Sequence, residues 1–250
     1  MSHHIVEVCD LRYCYPDGTE ALSGVNFCIH HGESVAVVGA NGAGKSTLLL
    51  HLNGCLAPTV GRVRIGDNPL TPATLQQVRR TVGMVFQDPD DQLFLPTVYD
   101  DVAFGPLNLS LPLEEVDTRV RHALNTVNCE HLSSRPPYRL SGGEKRSVAI
   151  ASVLAMRPDI LVLDEPTSNL DPRARRKLIN LLQGFKHTKI IASHDLDMVM
   201  DICDRTIILH KGKVLADGAT RQIFTDDALL EQAHLERPLS LNHHGQIRVL

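Results

Sequence analysis

The chain has 250 residues, 43% of them hydrophobic and 22% charged, with a net charge of -4 at pH 7; this supports a packed core of one large domain or a core with a subdomain and argues against disorder. No global positive field draws such a chain onto nucleic acid or anionic lipid. No apolar run reaches the ~18 residues that span a bilayer, residues 1–4 lead into a strand-like segment rather than a signal-peptide core, and the six cysteines include no C-x-x-C pair, so the expectation is a cytoplasmic protein with buried thiols and no cysteine zinc site.

Residues 5–11 and 24–29 alternate as half-exposed strands do, separated by the turn residues Tyr15, Pro16, Asp17 and Gly18. They are expected to lie antiparallel along the edge of the core. Tyr13 and Tyr15 stand just before the turn, where a ring serves either as an adenine platform or as strand-end packing. An apolar run over 34–38 then leads into Gly39, Ala40, Asn41, Gly42, Ala43, Gly44, Lys45, Ser46 and Thr47, followed by an apolar-periodic run over 47–52. That strand, loop and helix order makes G-x-x-x-x-G-K-[ST] a phosphate cradle. Glycines let backbone N–H groups close on a polyphosphate, and the positive end of the helix adds attraction. Lys45 is placed to bridge the β- and γ-phosphates, and Ser46 to offer its hydroxyl to Mg²⁺. Asn53 and Gly54 stop the helix.

Residues 62–66 read as a strand, 75–80 as a short helix and 82–86 as a buried strand ending at Gln87. The character then changes to an acidic, turn-rich stretch over 88–92, followed by apolar Leu93, Phe94, Leu95 and Pro96 and by the acidic segment Tyr99, Asp100 and Asp101. A subdomain boundary is expected there, with 88–157 mainly helical between two α/β stretches, 1–87 and 158–218, and 219–250 as a C-terminal tail. Over 113–127, helical spacing puts Leu113, Val116, Val120, Leu124 and Val127 on one face. Ser141 with Glu144 three residues later is a capping box.

The apolar run 160–163 ends in Asp164 and Glu165. A carboxylate there, beside a phosphate loop, supplies a second Mg²⁺ anchor; Asp164 fits that role and Glu165 is a candidate general base. Asp171 and Pro172 start a helix that Gly184 ends, with Arg173, Arg175, Arg176 and Lys177 as its solvated face. A core strand over 189–193 leads to His194, structural or catalytic. Residues 206–210 and 214–217 make a hairpin across Lys211 and Gly212, and short helical patterns follow from about 220 without a motif. The pairs His3-His4, His30-His31 and His243-His244 lack a third ligand at defined spacing and read as surface residues.

The phosphate loop, Gln87, the segment Leu140-Ser141-Gly142-Gly143-Glu144, the acids Asp164 and Glu165, the segment Ser168-Asn169-Leu170-Asp171 and His194 occur in the order seen in ABC-type ATPases, which the chain resembles up to about Gly218. Within that family, residues 85–94 and 102–106 look like the ATPase subunit of energy-coupling-factor transporters, especially the cobalt and nickel importers; Glu144, where many members have Gln, also suits that branch. The resemblance implies an α/β fold with a P-loop RecA-like core, an antiparallel β edge and an inserted helical subdomain, the ABC nucleotide-binding domain. It implies that Tyr15 stacks on adenine, that residues 39–47 cradle the phosphates, and that Gln87 touches Mg²⁺ and senses a membrane partner. Glu165 and His194 would be catalytic, with Ser46, Gln87 and Asp164 on Mg²⁺. Ser141, Gly142, Gly143 and Asp171 would act across a dimer interface on ATP held by the opposite subunit. Glu144 would repel that phosphate, so it is expected to turn back and cap its own helix.

The expected function is the ATP-hydrolysing subunit of a cobalt or nickel importer, using Mg²⁺ with ATP and lying peripherally on the cytoplasmic face of the cell membrane. Its implied partners are a second ATPase subunit in a homodimer, a transmembrane scaffold subunit and a substrate-binding membrane subunit, with no nucleic acid. Scaffold helices bearing arginines are expected to dock on Asp88, Asp90, Asp91, Leu93 and Phe94. The alternatives are the same role in a vitamin importer, or a soluble ABC ATPase of DNA repair or translation. Against the latter stand one phosphate loop, no sustained heptads and no basic patch.

Overall fold

The structure, a computed structural model, describes residues 4–244. In chain order it contains β1 (His4–Cys14), β2 (Glu20–His30), β3 (Ser34–Val38), α1 (Lys45–Leu52), β4 (Val60–Ile65), β5 (Asn68–Pro69), α2 (Leu75–Thr81) and β6 (Val82–Val85). A helical stretch follows, with α3 (Val98–Asn108), α4 (Leu113–Thr126) and α5 (Gly142–Leu154). The remainder is β7 (Ile160–Asp164), α6 (Pro172–Gly184), β8 (Thr188–Ala192), α7 (Leu196–Ile202), β9 (Arg205–His210), β10 (Lys213–Ala219), α8 (Thr220–Ile223) and α9 (Asp227–Gln232).

Strands β10-β9-β3-β8-β7-β6 form one sheet, in which only β10 runs antiparallel. β3, β6, β7 and β8 are buried along their whole length, the pattern of a parallel sheet covered on both faces. Alternation in β3 shows the two layers. Val35 and Val37 pack with Leu48, Leu49 and Leu52 of α1 and with the antiparallel sheet β2-β1-β4-β5. Ala36 and Val38 face the opposite cluster, built from α3 to α7. The expected α/β architecture, with an antiparallel edge and a purely helical stretch between β6 and β7, is therefore the one observed.

Several local expectations change. β1 and β2 are longer than the alternating stretches, since pairing extends to Cys14 and Glu20 beside the turn. Residues 99–101 lie in the first turn of α3, where Thr97 accepts from Asp100 N–H as the N-cap. Leu113 is 76% exposed and leaves the apolar face, while Val116, Val120 and Leu124 stay buried. Arg175 is not simply solvated: its guanidinium makes a bidentate pair with Asp195 at 2.6 and 2.7 Å. The Lys211-Gly212 turn has φ of 47° and 73°, both positive as a two-residue hairpin turn requires. His3 lies outside the described residues, as do the side chains of His4, His243 and His244.

The chain beyond β10 enters the core. Phe224, just past α8, is fully buried and packs within the apolar cluster on the side of the sheet that α3 to α7 cover. Truncating it removes that contact and leaves a cavity. Phe224→Ala should therefore lower unfolding stability by ~3–5 kcal/mol, read by urea denaturation.

Candidate active site

Four chain segments leave the parallel sheet at its carboxyl edge and converge on one cleft of about 520 Å³. β3 delivers the glycine loop, β6 delivers Gln87, β7 delivers Glu165 and β8 delivers His194, and all four line that cleft. This edge is where open α/β sheets bind ligands. Tyr15 closes one end, so the structure separates the two tyrosines: Tyr13 packs edge-on against His51, while Tyr15 lines the cleft. The Tyr15 hydroxyl lies 2.9 Å from Thr47 Oγ1, which fixes the ring beside the loop.

The loop geometry depends on glycine at two points. Gly44 has φ 103°, and a Cβ there would stand 2.6 Å from the Ala21 carbonyl oxygen. Gly42 has φ 78°, the left-handed region that favours glycine, with nothing within 4 Å of a Cβ position. Lys45 is buried and its ammonium donates to the carbonyls of Gly39 at 2.8 Å and Ala40 at 3.4 Å. It also stands 3.8 Å from Glu165 Oε1.

Glu165 is buried and held in a left-handed backbone conformation, φ 45°, a strained setting for a carboxylate residue. Its Oε2 accepts from the His194 backbone N–H at 3.2 Å and lies 2.7 Å from His194 Nδ1. The His194 side chain is otherwise exposed, so the rest of its ring is open to the cleft. Asp164 is also buried, and its Oδ1 has no hydrogen-bond partner. Burial pushes the Asp164 carboxyl up, the Ser46 hydroxyl opposes that by bonding to it, and the Glu165 charge adds to the rise. A buried carboxylate with one orphaned oxygen beside a hydroxyl is a donor set suited to a hard divalent cation, so Asp164 and Ser46 fit the expected Mg²⁺.

Ser141, Gly143 and Asp171 do not reach this cleft. They border a second one of about 400 Å³, with Glu144, Arg173 and Lys177, while Gly142 is exposed at the start of α5. Asp171 caps α6 by accepting from the N–H groups of Arg173 and Ala174. Glu144 turns back as expected: its Oε2 accepts from Ser141 N–H at 2.7 Å and from Ser141 Oγ at 2.8 Å. Those two bonds hold its carboxyl below the usual range.

The docking set needs correction. Leu93 is buried in the core and presents nothing outward. Asp90 pairs with Lys145 at 2.6 Å, and Asp88 caps the short helical turn Pro89–Asp91 by accepting from Asp90 N–H. Asp101 is buried and accepts from the N–H groups of Phe94 and Leu95. Phe94 does stand out, 63% exposed and packed edge-on to Phe104 at 5.4 Å. Thr19, Glu20 and Ala21 line the nucleotide-loop cleft without having been singled out from sequence; the tight turn that returns the chain beside Tyr15 was the available signal, but the pairing register decides which residues face the loop.

The ABC transporter family model matches residues 22–168. The chain is 49% identical, over 94% of its own length and 86% of the relative's, to the energy-coupling factor transporter ATP-binding protein EcfA of Methanocaldococcus jannaschii. Among solved structures, CbiO1 of Clostridium perfringens, part of the ABC transporter complex cbiONQ, superposes with a TM-score of 0.81 at 40% identity, covering 97% of this chain and 98% of that one. The dimeric ATP-binding cassette MJ0796, bound to ADP and Pi in a post-hydrolysis state, gives a TM-score of 0.79 at 31% identity, covering 86% and 99%.

Because the folded-state Asp164 carboxyl binds its proton more readily than an unfolded one, stability is lost as pH rises from the ordinary carboxylate value through the raised one. Asp164→Asn should raise the unfolding midpoint of the nucleotide-free chain at pH 7, a gain that shrinks as pH falls. The same variant should lose Mg²⁺-dependent ATP turnover. Thermal unfolding across pH checks the first effect and phosphate release the second.

Proposed function

The chain belongs to the ABC transporter family as an ATPase of the energy-coupling-factor type, and we propose that it powers a membrane importer of cobalt or nickel ions. The observation that carries the catalytic reading is Glu165: buried, backbone-strained, held by His194 and set beside Lys45. The metal cargo is supported by the likeness of residues 85–94 and 102–106 to the cobalt and nickel branch and by the likeness to a chain of the cbiONQ complex.

Adenine stacks on Tyr15, and backbone N–H groups of residues 39–47 close on the phosphates. Lys45 exchanges its Gly39 and Ala40 carbonyl partners for β- and γ-phosphate oxygens. Ser46, Gln87 and Asp164 would hold Mg²⁺, which would supply positive charge against those phosphates. Glu165 Oε orients the attacking water and takes its proton, while the His194 ring leaves that carboxylate and donates its N–H to the γ-phosphate. Little else is asked of the protein in transfer of a phosphoryl group to water.

Separation of Ser141, Gly142, Gly143 and Asp171 from the Lys45 cleft supports their action on ATP of a second subunit, as does the dimeric state of MJ0796. We infer a homodimer, since this chain carries both the site and the signature segment. Among the described residues no helix is long and apolar enough to cross a membrane. Membrane attachment therefore falls to a transmembrane scaffold subunit, working with a substrate-binding membrane subunit, and this chain lies peripherally on the cytoplasmic face. Exposed Phe94 and Phe104, beside a cleft lined by Pro72, Leu75, Leu109 and Met156, form the docking surface.

Glu165→Gln should keep ATP binding while lowering turnover ~10²–10⁴-fold and accumulating a closed dimer, measured by nucleotide binding, phosphate release and size-exclusion chromatography. Unchanged turnover would remove Glu165 from the mechanism. A tagged pull-down from detergent-solubilised membranes should recover multi-span partners, and cells expressing that set should accumulate Co²⁺ or Ni²⁺ in an ATP-dependent way. Vitamin uptake instead would keep the ATPase chemistry and change the cargo.

A further inference from the structure

Behind the nucleotide cleft, α1 carries a histidine at a core position. His51 is fully buried in a helix whose neighbouring inward residues are Leu48, Leu49 and Leu52. Its Nδ1 lies 2.7 Å from the Thr47 carbonyl oxygen, one turn back. A carbonyl only accepts, so Nδ1 carries the proton. Burial pushes the imidazole below its ordinary value, with the Thr47 and Ala57 carbonyls opposing, so the ring is neutral at pH 7. Nε2 is then an acceptor, and it has no hydrogen-bond partner. A leucine would fill this position without orphaning a polar atom. The imidazole is therefore retained for a contact that leucine cannot make.

Two arms run from it to the same place. Through Nδ1 it fixes the Thr47 carbonyl, and Thr47 Oγ1 lies 2.9 Å from the Tyr15 hydroxyl. Through its ring it meets half-buried Tyr13, with centroids 4.8 Å apart and planes at 74°. Tyr13 in turn meets the Tyr15 ring at 4.9 Å and 85°. Both are the edge-to-face arrangement that aromatic quadrupoles favour. His51, Thr47, Tyr15 and Tyr13 thus close a circuit, in which Tyr15, the one ring of the three that lines the cleft, is held at its hydroxyl by one arm and at its ring by the other.

We propose that Tyr13 and His51 are positioning residues for the nucleobase: they anchor the Tyr15 ring to α1, the helix whose first turn meets the phosphates, and so set the spacing between base and phosphate sites. This rests on the reading of Tyr15 as the adenine platform. The consequence is that the second aromatic layer acts on the base-dependent part of the affinity and not on the phosphate-dependent part.

Equilibrium binding of ADP and of inorganic pyrophosphate to the full chain, each with Mg²⁺, separates the two parts without turnover. Tyr15→Ala should weaken ADP about fivefold or more and leave pyrophosphate within about twofold. His51→Leu and Tyr13→Leu should each weaken ADP about threefold or more, again with pyrophosphate within about twofold, and add nothing when combined with Tyr15→Ala. Tyr13→Phe keeps the ring and both edge contacts, so its ADP affinity should stay within about twofold of the parent chain. Equal losses of ADP and pyrophosphate, losses that add to Tyr15→Ala, or a loss in Tyr13→Phe as large as in Tyr13→Leu overturn the positioning role. If Tyr15→Ala leaves ADP affinity intact, the reading of Tyr15 fails and the positioning role with it; if Tyr15→Ala alone has an effect, only the positioning role fails. Should His51→Leu not fold, Tyr13→Leu set against Tyr13→Phe decides by the same criteria.

Discussion

Charge held at the end of an apolar sheet governs this molecule. β3, β7 and β8 are buried along their entire length, so an ionisable group inside them is desolvated, as burial pushing the Lys189 ammonium of β8 down shows. At or beyond their carboxyl ends stand Lys45, Asp164, Glu165 and His194, the first three almost wholly buried. In that setting each charge is poorly screened and feels the others strongly. Lys45 answers the two acids, Ser46 answers Asp164, and His194 answers Glu165. What remains unanswered, Asp164 Oδ1, is the position that a cation would satisfy.

Arginines perform the complementary task of joining layers. Arg146 binds α5 to the backbone beyond β6. Arg175 binds α6, the helix that Asp171 begins, to Asp195, the neighbour of His194. Burial alone would raise the Asp195 carboxyl, but the Arg175 pair and the Met198 N–H hold it below its ordinary value. Arg205 joins β9 to Asp217 of β10, to the Cys28 carbonyl of β2 and to Glu33. Planar, multiply donating guanidinium groups suit such junctions better than ammonium groups do. The moving parts of the site are therefore wired to the scaffold by a few directional contacts, while apolar packing supplies the bulk of cohesion.

The nucleotide cleft was readable because its residues sit at fixed points of local structure. A glycine loop between strand and helix, acids at the end of an apolar run and a histidine after another such run need only topology to bring them together. Glu144 was equally readable, since a capping box is a contact between residues three apart. Features set by tertiary neighbours were not. Spacing placed Leu113 on an apolar face that α4 does not extend to its first residue. Leu93 looked like a docking residue because composition cannot tell an apolar side chain that points outward from one that points in. α7 went unread although Asp195 caps it, because its apolar residues follow directly on a buried strand. The exposed Phe94 and Phe104 pair joins residues ten apart, a proximity that only α3 creates.

Strand order has a consequence for biosynthesis. β3, which carries the phosphate loop, pairs on one side with β8 and on the other with β9, so Ser34 lies beside Lys189 and Val38 beside Ile208. Both neighbours are translated more than a hundred residues later. During synthesis the apolar strand before the loop has no sheet to join, and ATP cannot template the fold from the amino end. Non-local pairing of this kind is slow and leaves an aggregation-prone edge exposed while it waits. The nascent chain must therefore be shielded by chaperones or by its own collapse until β9 emerges, and nucleotide can act as a folding ligand only at the close of translation.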